Sequence, residues 1–83
     1  MGRLRQMAAR EVLRSFASFG FKMEAAHGSH AKLVRVLVSG ERQTLTVPLH
    51  KQLAPGTLRA IFRQGLCYIP VGDLRPWFFH SDR

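Results

Sequence analysis

The apolar residues of this chain change their period twice. Up to Phe19 they recur every three or four positions (Val12, Leu13, Phe16, Phe19), the spacing of one helix face. A β-branched run follows at Leu33, Val34, Val36, Leu37 and Val38. Strict alternation comes next, with Leu45, Val47 and Leu49 on one side and Thr44, Thr46 and Pro48 on the other. Helical spacing returns after Pro55 with Leu58, Ile61 and Phe62. A switch from 3.6 to 2 and back within 83 residues confines the chain to one small α+β domain.

Local punctuation sets the boundaries. The first helix is expected from about Met7 to Ser18, stopped by Gly20, with Arg3 and Arg5 frayed ahead of it. Residues 21–27 read as extended. Gly28-Ser29 then fits a two-residue type II′ hairpin, because Gly28 tolerates the positive φ of the first central position. Ser39-Gly40-Glu41-Arg42 is a turn, and Gln43 to Leu49 is a third strand. Pro48 cannot donate a ladder bond, which assigns that strand to an edge. Pro55 suits the first position of a second helix and Gly65 its end. The expected order is α-β-β-β-α: a three-stranded antiparallel sheet with two helices on one face and the other face open. The whole chain, 1–83, is one domain with its core at about 7–65. Residues 66–83 read as an apolar, irregular extension, with a short helix near Asp73 limited by Pro76. Its Trp77-Phe78-Phe79 suits a core lid or a protein interface.

Charge narrows the function. Thirteen Lys and Arg against five Asp and Glu give a net charge of +8, and ten of the thirteen are Arg. Such a surplus attracts polyanions, and arginine forks grip phosphate in pairs of bonds. Nucleic acid is the leading partner on this ground, with an acidic protein second. No apolar run approaches the length of a membrane span or a signal peptide, and the single cysteine, Cys67, permits no internal disulfide. A reducing cytoplasm is the expected setting.

The chemistry-bearing residues gather around the expected hairpin. A two-residue turn at Gly28-Ser29 sets His27 and His30 opposite each other on one sheet face. RNA can be cut without a metal when one group takes the 2′-hydroxyl proton and another protonates the departing 5′-oxygen; histidine suits both roles. Gly28 allows close approach of a phosphate, and Ser29 adds a hydroxyl. Lys32, two residues beyond His30, shares its face and is the candidate for binding a phosphate or steadying the phosphorane charge. His50 contacts RNA or orients His30. Lys51, Arg59 and Arg63, with Thr57, would extend a phosphate-binding edge at the start of the second helix. The spacing of His27, His30 and His50 is not a standard zinc pattern, and no cofactor is required.

Gly20-Phe21, Gly28-Ser29-His30, Val47-Pro48-Leu49-His50 and Pro55-Gly56-Thr57-Leu58-Arg59-Ala60-Ile61, in this order, resemble the HicA-like toxin family from about Arg10 to Gly65. The resemblance implies a fold like a double-stranded-RNA-binding domain. It implies an mRNA interferase, an endoribonuclease toxin that depends on the histidine of Gly-Ser-His, here His30. It also implies a HicB-like antitoxin that covers that histidine. Many relatives carry a second histidine where this chain has Ala31. The reading from another class is a non-catalytic RNA-binding module of the same fold.

Overall fold

A computed structural model describes residues 2–81. Six elements follow in order: α1 (Ala9–Ala17), β1 (Lys22–His27), β2 (His30–Val36), β3 (Arg42–Pro48), α2 (Pro55–Leu66) and α3 (Val71–Phe78). The strands form one antiparallel sheet in the order β1-β2-β3, which makes β3 an edge as Pro48 required.

Each end of α1 has a local cause. The Glu11 carboxylate accepts the Ala8 N–H at 2.8 Å, so an acid serves the first turn where the helix dipole favours it. Met7 is buried but lies outside the helix, because its carbonyl accepts the Leu53 N–H from the segment ahead of α2. At the other end Gly20 has φ +92°, the Phe21 N–H bonds Phe16 O, and the Gly20 N–H bonds Ala17 O. This is the paired-bond glycine stop, and it includes the usual apolar contact, with the Phe16 and Phe21 rings 5.9 Å apart.

Both α1 and α2 lie against β3, so they cover the same sheet face. Val12 and Phe16 meet Ala31 and Leu33 of β2, Leu45 and Val47 of β3, and Leu58, Ile61 and Phe62 of α2 in one cluster. No residue of β1 is buried; that strand overhangs the core. Along the outer edge of β3, the Gln64 side chain of α2 both accepts from and donates to the Thr46 backbone, at 3.1 Å each way. Its amide covers the free edge of β3 there, which blunts pairing with another strand.

Three expectations need correction. Gly65 does not end α2. The helix continues to Leu66, and a Cβ at Gly65 would fall 2.6 Å from Leu74 Cδ2 and 3.0 Å from Phe16 Cε1, so the glycine is a point of close packing. The tail is not irregular: it forms α3, which starts at Val71 after Pro70, with Asp73 in the first turn rather than at the cap. Pro76 sits inside this helix, which ends two residues later. Nor are Arg3 and Arg5 frayed. Leu4 pairs with Phe79, the Arg5 N–H bonds Phe78 O at 2.8 Å, and the His80 N–H bonds Arg3 O at 2.7 Å. Segments 3–5 and 78–80 thus hold each other, and Leu74 and Phe78 are sealed in the core. The Phe78 ring lies 5.9 Å from Phe16 and 5.5 Å from Phe62, so the aromatic tail is a core lid.

One arginine is structural. Arg35 points to the helix side of β2, where its Nε donates to Gln43 Oε1, and its two terminal nitrogens donate to Phe19 O and Tyr68 O. Its guanidinium lies 4.7 Å over the Phe21 ring. The two carbonyls follow α1 and α2, where helix dipoles favour a cation.

Candidate active site

The hairpin forms as its sequence demands. Gly28 has φ +58°, and among the described residues no non-glycine residue, Ser29 included, has positive φ, which is the pattern of type II′ rather than type I′. His27 and His30 pair directly across the first rung of β1 and β2. Their Cα atoms are about 5.5 Å apart by the geometry of such a rung. His27, Gly28, Ser29 and His30 are all exposed.

On its other side His30 pairs with Pro48 of β3. The Leu49 N–H donates to Ser29 O at 2.6 Å and brackets this rung, so the position where Pro48 lacks a donor faces away from β2 and no ladder bond is lost. The same bond ties the turn to the end of β3. His30 is thereby held between His27 and the Pro48 ring. Ser29 Oγ lies 3.4 Å from His30 Nδ1, a loose contact.

A bulge decides what else reaches this face. The pairing of β1 with β2 slips between Met23 and Ala25, which inserts Glu24 as an extra residue. Regular alternation would put Lys22 and His27 on opposite faces; the extra residue lets both face outward. It also brings Glu24 onto the open face, where its Oε1 lies 3.5 Å from Lys32 Nζ and its Oε2 2.6 Å from Arg42 NH2. The hydrogen bond from Arg42 holds the Glu24 carboxyl below its ordinary pKa. Desolvation pushes the other way, and the charges of Arg42 and Lys32 add to the lowering. Lys32 is therefore on the expected face but already has a partner. Arg42, which sequence reasoning left in a turn, joins the site through its register opposite Val36.

His50 and Lys51 lie just past β3. With Ala8, Ala9, Arg10, Leu13 and Leu49 they line a groove of about 440 Å³. The His50 carbonyl accepts the Ala9 N–H at 3.0 Å, and among the described residues no hydrogen bond joins its ring to His30. Arg59 lines a different groove, of about 770 Å³, at the start of α2 beside Arg3 and Arg5. Arg63 is exposed one turn further along. The expected site therefore divides: His27, Gly28, Ser29, His30 and Lys32 share the hairpin end of the open sheet face, His50 and Lys51 line a groove against α1, and Arg59 belongs to a separate basic groove. Among the described residues, no group of three or more His, Cys, Asp or Glu comes together as a metal site. No helix among them is long and apolar enough to cross a membrane.

The model of the HicA toxin of bacterial toxin–antitoxin matches residues 9–66, from the first residue of α1 to the last of α2. The chain belongs to the HicA toxin family. The matched span of this HicA-family chain holds every candidate site residue, while α3 and the segment it pairs with lie outside it. Membership implies an antitoxin as partner. No curated protein and no solved structure gives a significant match.

Proposed function

We propose that this HicA-family toxin is a metal-independent endoribonuclease that cuts mRNA in the cytoplasm, with His30 as its catalytic residue. The observation that carries the reading is the exposed His27–His30 rung beside a cationic row on the open sheet face. In the reaction, one imidazole takes the proton of a ribose 2′-OH, and O2′ forms a bond to the adjacent phosphorus. The P–O5′ bond breaks, and a second acid protonates the departing O5′. The products are a cyclic 2′,3′-phosphate and a free 5′-hydroxyl. His30 carries the essential proton transfer, and His27, directly opposite, can carry the complementary one. Gly28 lets the phosphate approach the backbone, Ser29 offers a hydroxyl, and Lys32 offers charge to the RNA backbone beside the cut. His50 and Lys51 contact the RNA beyond the cut. Arg59 and Arg63 take more distant phosphates. A HicB-like antitoxin that buries the hairpin would silence the enzyme.

The test is cleavage of RNA by the purified protein in excess EDTA. His30→Ala should abolish cleavage while leaving the circular dichroism spectrum unchanged, and wild-type fragments should end in cyclic phosphate. Cleavage that persists in His30→Ala rejects the mechanism. The groove beside Arg3, Arg5 and Arg59 favours a second reading, a non-catalytic RNA-binding module. That reading requires salt-dependent binding without any cleavage by the wild type.

A further inference from the structure

Glu24 is the one acid on the open face whose position has a built cause. The bulge delivers it there, and two cations from different strands close on it, Lys32 from β2 and Arg42 from β3. All three side chains are about half exposed, with the carboxylate at 41%. Exposed ion pairs of this kind are weak and exchangeable. A phosphodiester carries the same single negative charge as a carboxylate and accepts from the same donors, an arginine fork above all. Exchanging one for the other leaves the charge balance at Lys32 and Arg42 unaltered. Lys32 also lies only two residues along β2 from His30 on the same face, about 7 Å at the usual strand rise.

We propose that Lys32 and Arg42 form a phosphate-binding subsite for the RNA strand that runs from His30, and that the Glu24 carboxylate occupies this subsite as an internal substitute until RNA displaces it. This rests on the ribonuclease reading for its substrate, but the subsite is defined by its own three side chains. Glu24 then sets the affinity for RNA: it costs binding strength and draws the two cations to one point on the sheet face. Arg42 becomes a substrate-binding residue.

The experiment uses the full chain and a 2′-O-methyl oligonucleotide, which cannot be cleaved through its 2′-oxygen. Glu24→Gln should tighten binding about fivefold at low salt, and the slope of log K against log salt should steepen by about one. Asp73→Asn, which makes the same change of charge on α3, should tighten binding less than about twofold, the long-range term left after screening. The gain from Glu24→Gln should vanish when Arg42→Ala is added. Equal gains from Glu24→Gln and Asp73→Asn, or a gain that survives Arg42→Ala, would overturn the subsite. A second arm titrates Glu24→Gln with inorganic phosphate by NMR. Saturable shifts at the Lys32 and Arg42 amides, lost in Glu24→Gln/Arg42→Ala, are expected; their absence also overturns it. The two readings fail separately. Phosphate bound at this pair by a protein that never cuts RNA sinks the nuclease and keeps the subsite. Cleavage that depends on His30, with no specific gain from Glu24→Gln, does the reverse.

Discussion

The β1 arm and the C-terminal tail divide the molecule's work. The arm, Lys22–His27, has no buried residue and touches the rest of the sheet through β2, yet it carries one histidine of the candidate pair and the acid that bridges two cations. The tail carries no candidate site residue, yet its Leu74 and Phe78 are as sealed as any side chain in the core. A small domain buries only about 60% of the surface its unfolded chain exposes, so it has little apolar surface to spare. Here the core is completed by an element from outside the family-matched span, and one strand is left free of packing duty. The exposed arm can then be shaped for a ligand at small cost to stability.

The sharpest way to break that division is a pair of alanine substitutions. Phe78→Ala should destabilise the fold by about 3–5 kcal/mol, because it opens a cavity among Phe16, Phe62 and Leu74. For a domain whose total stability is of order 5–15 kcal/mol, that is a large fraction. His30→Ala should shift the urea midpoint by less than about 0.5 kcal/mol equivalent and remove RNA cleavage. Comparable destabilisation by the two would show that the hairpin belongs to the core after all.

The same substitution at two glycines sharpens the contrast. At Gly65 the new methyl group meets Leu74 and Phe16 inside the core, and overpacking of this kind costs about 1–3 kcal/mol. At Gly28 nothing lies within 4 Å of the new Cβ; the cost is the backbone strain of the positive φ alone, about 1–3 kcal/mol. Gly65→Ala should therefore lower the urea midpoint while leaving the His27–His30 rung intact. Gly28→Ala should disturb the His27–His30 rung, visible as cross-strand NOE loss and reduced cleavage in a protein that remains folded.

A third test concerns the histidine pair. If one imidazole is base and the other acid, kcat/KM should follow a bell-shaped pH profile, and His27→Ala should remove one limb of it. A profile with both limbs intact in His27→Ala would leave His30 working with some other partner.

How far the sequence could be read follows the same division. The arm was legible because its signals are local: Gly28 set the turn, the turn set the His27–His30 rung, and Pro48 set the edge. The bulge was not, since the register of Met23 and Ala25 depends on β2 and no residue type announces it. Without the bulge, Glu24 could not be assigned to the face of His30; Arg42 was missed because the turn was read one residue too far into β3. The tail was misread because its helix contains Pro76 and its partner is the segment Arg3-Leu4-Arg5, more than seventy positions away. Gly65 looked like a stop because a helix-ending glycine and a close-packed one are the same residue; only Leu74 distinguishes them. No role was assigned to Arg35 from the sequence, because its three bonds and its place over Phe21 arise only after β2 is folded against both helix ends.

The smallest expected effect tests the arm's own internal contact. Glu24 is held below the ordinary carboxyl value of 4.5, chiefly by its hydrogen bond from Arg42. A carboxyl depressed in the folded state contributes stability above its unfolded value, and loses that contribution as the pH falls through its lower folded value. The loss should be slight in an unfolding curve, because the group is exposed and screened. It should be plain in the titration of the Glu24 side-chain carbon by NMR. The midpoint should fall below 4.5 in the wild type and move back up in Arg42→Ala. Phe78 and Leu74 resonances should stay still across the same range, since nothing in the tail's packing depends on that carboxylate. A wild-type midpoint at or above the ordinary value would mean that Lys32 and Arg42 stand free in solution, and the arm would then meet its ligand with an open cationic face and no acid to displace.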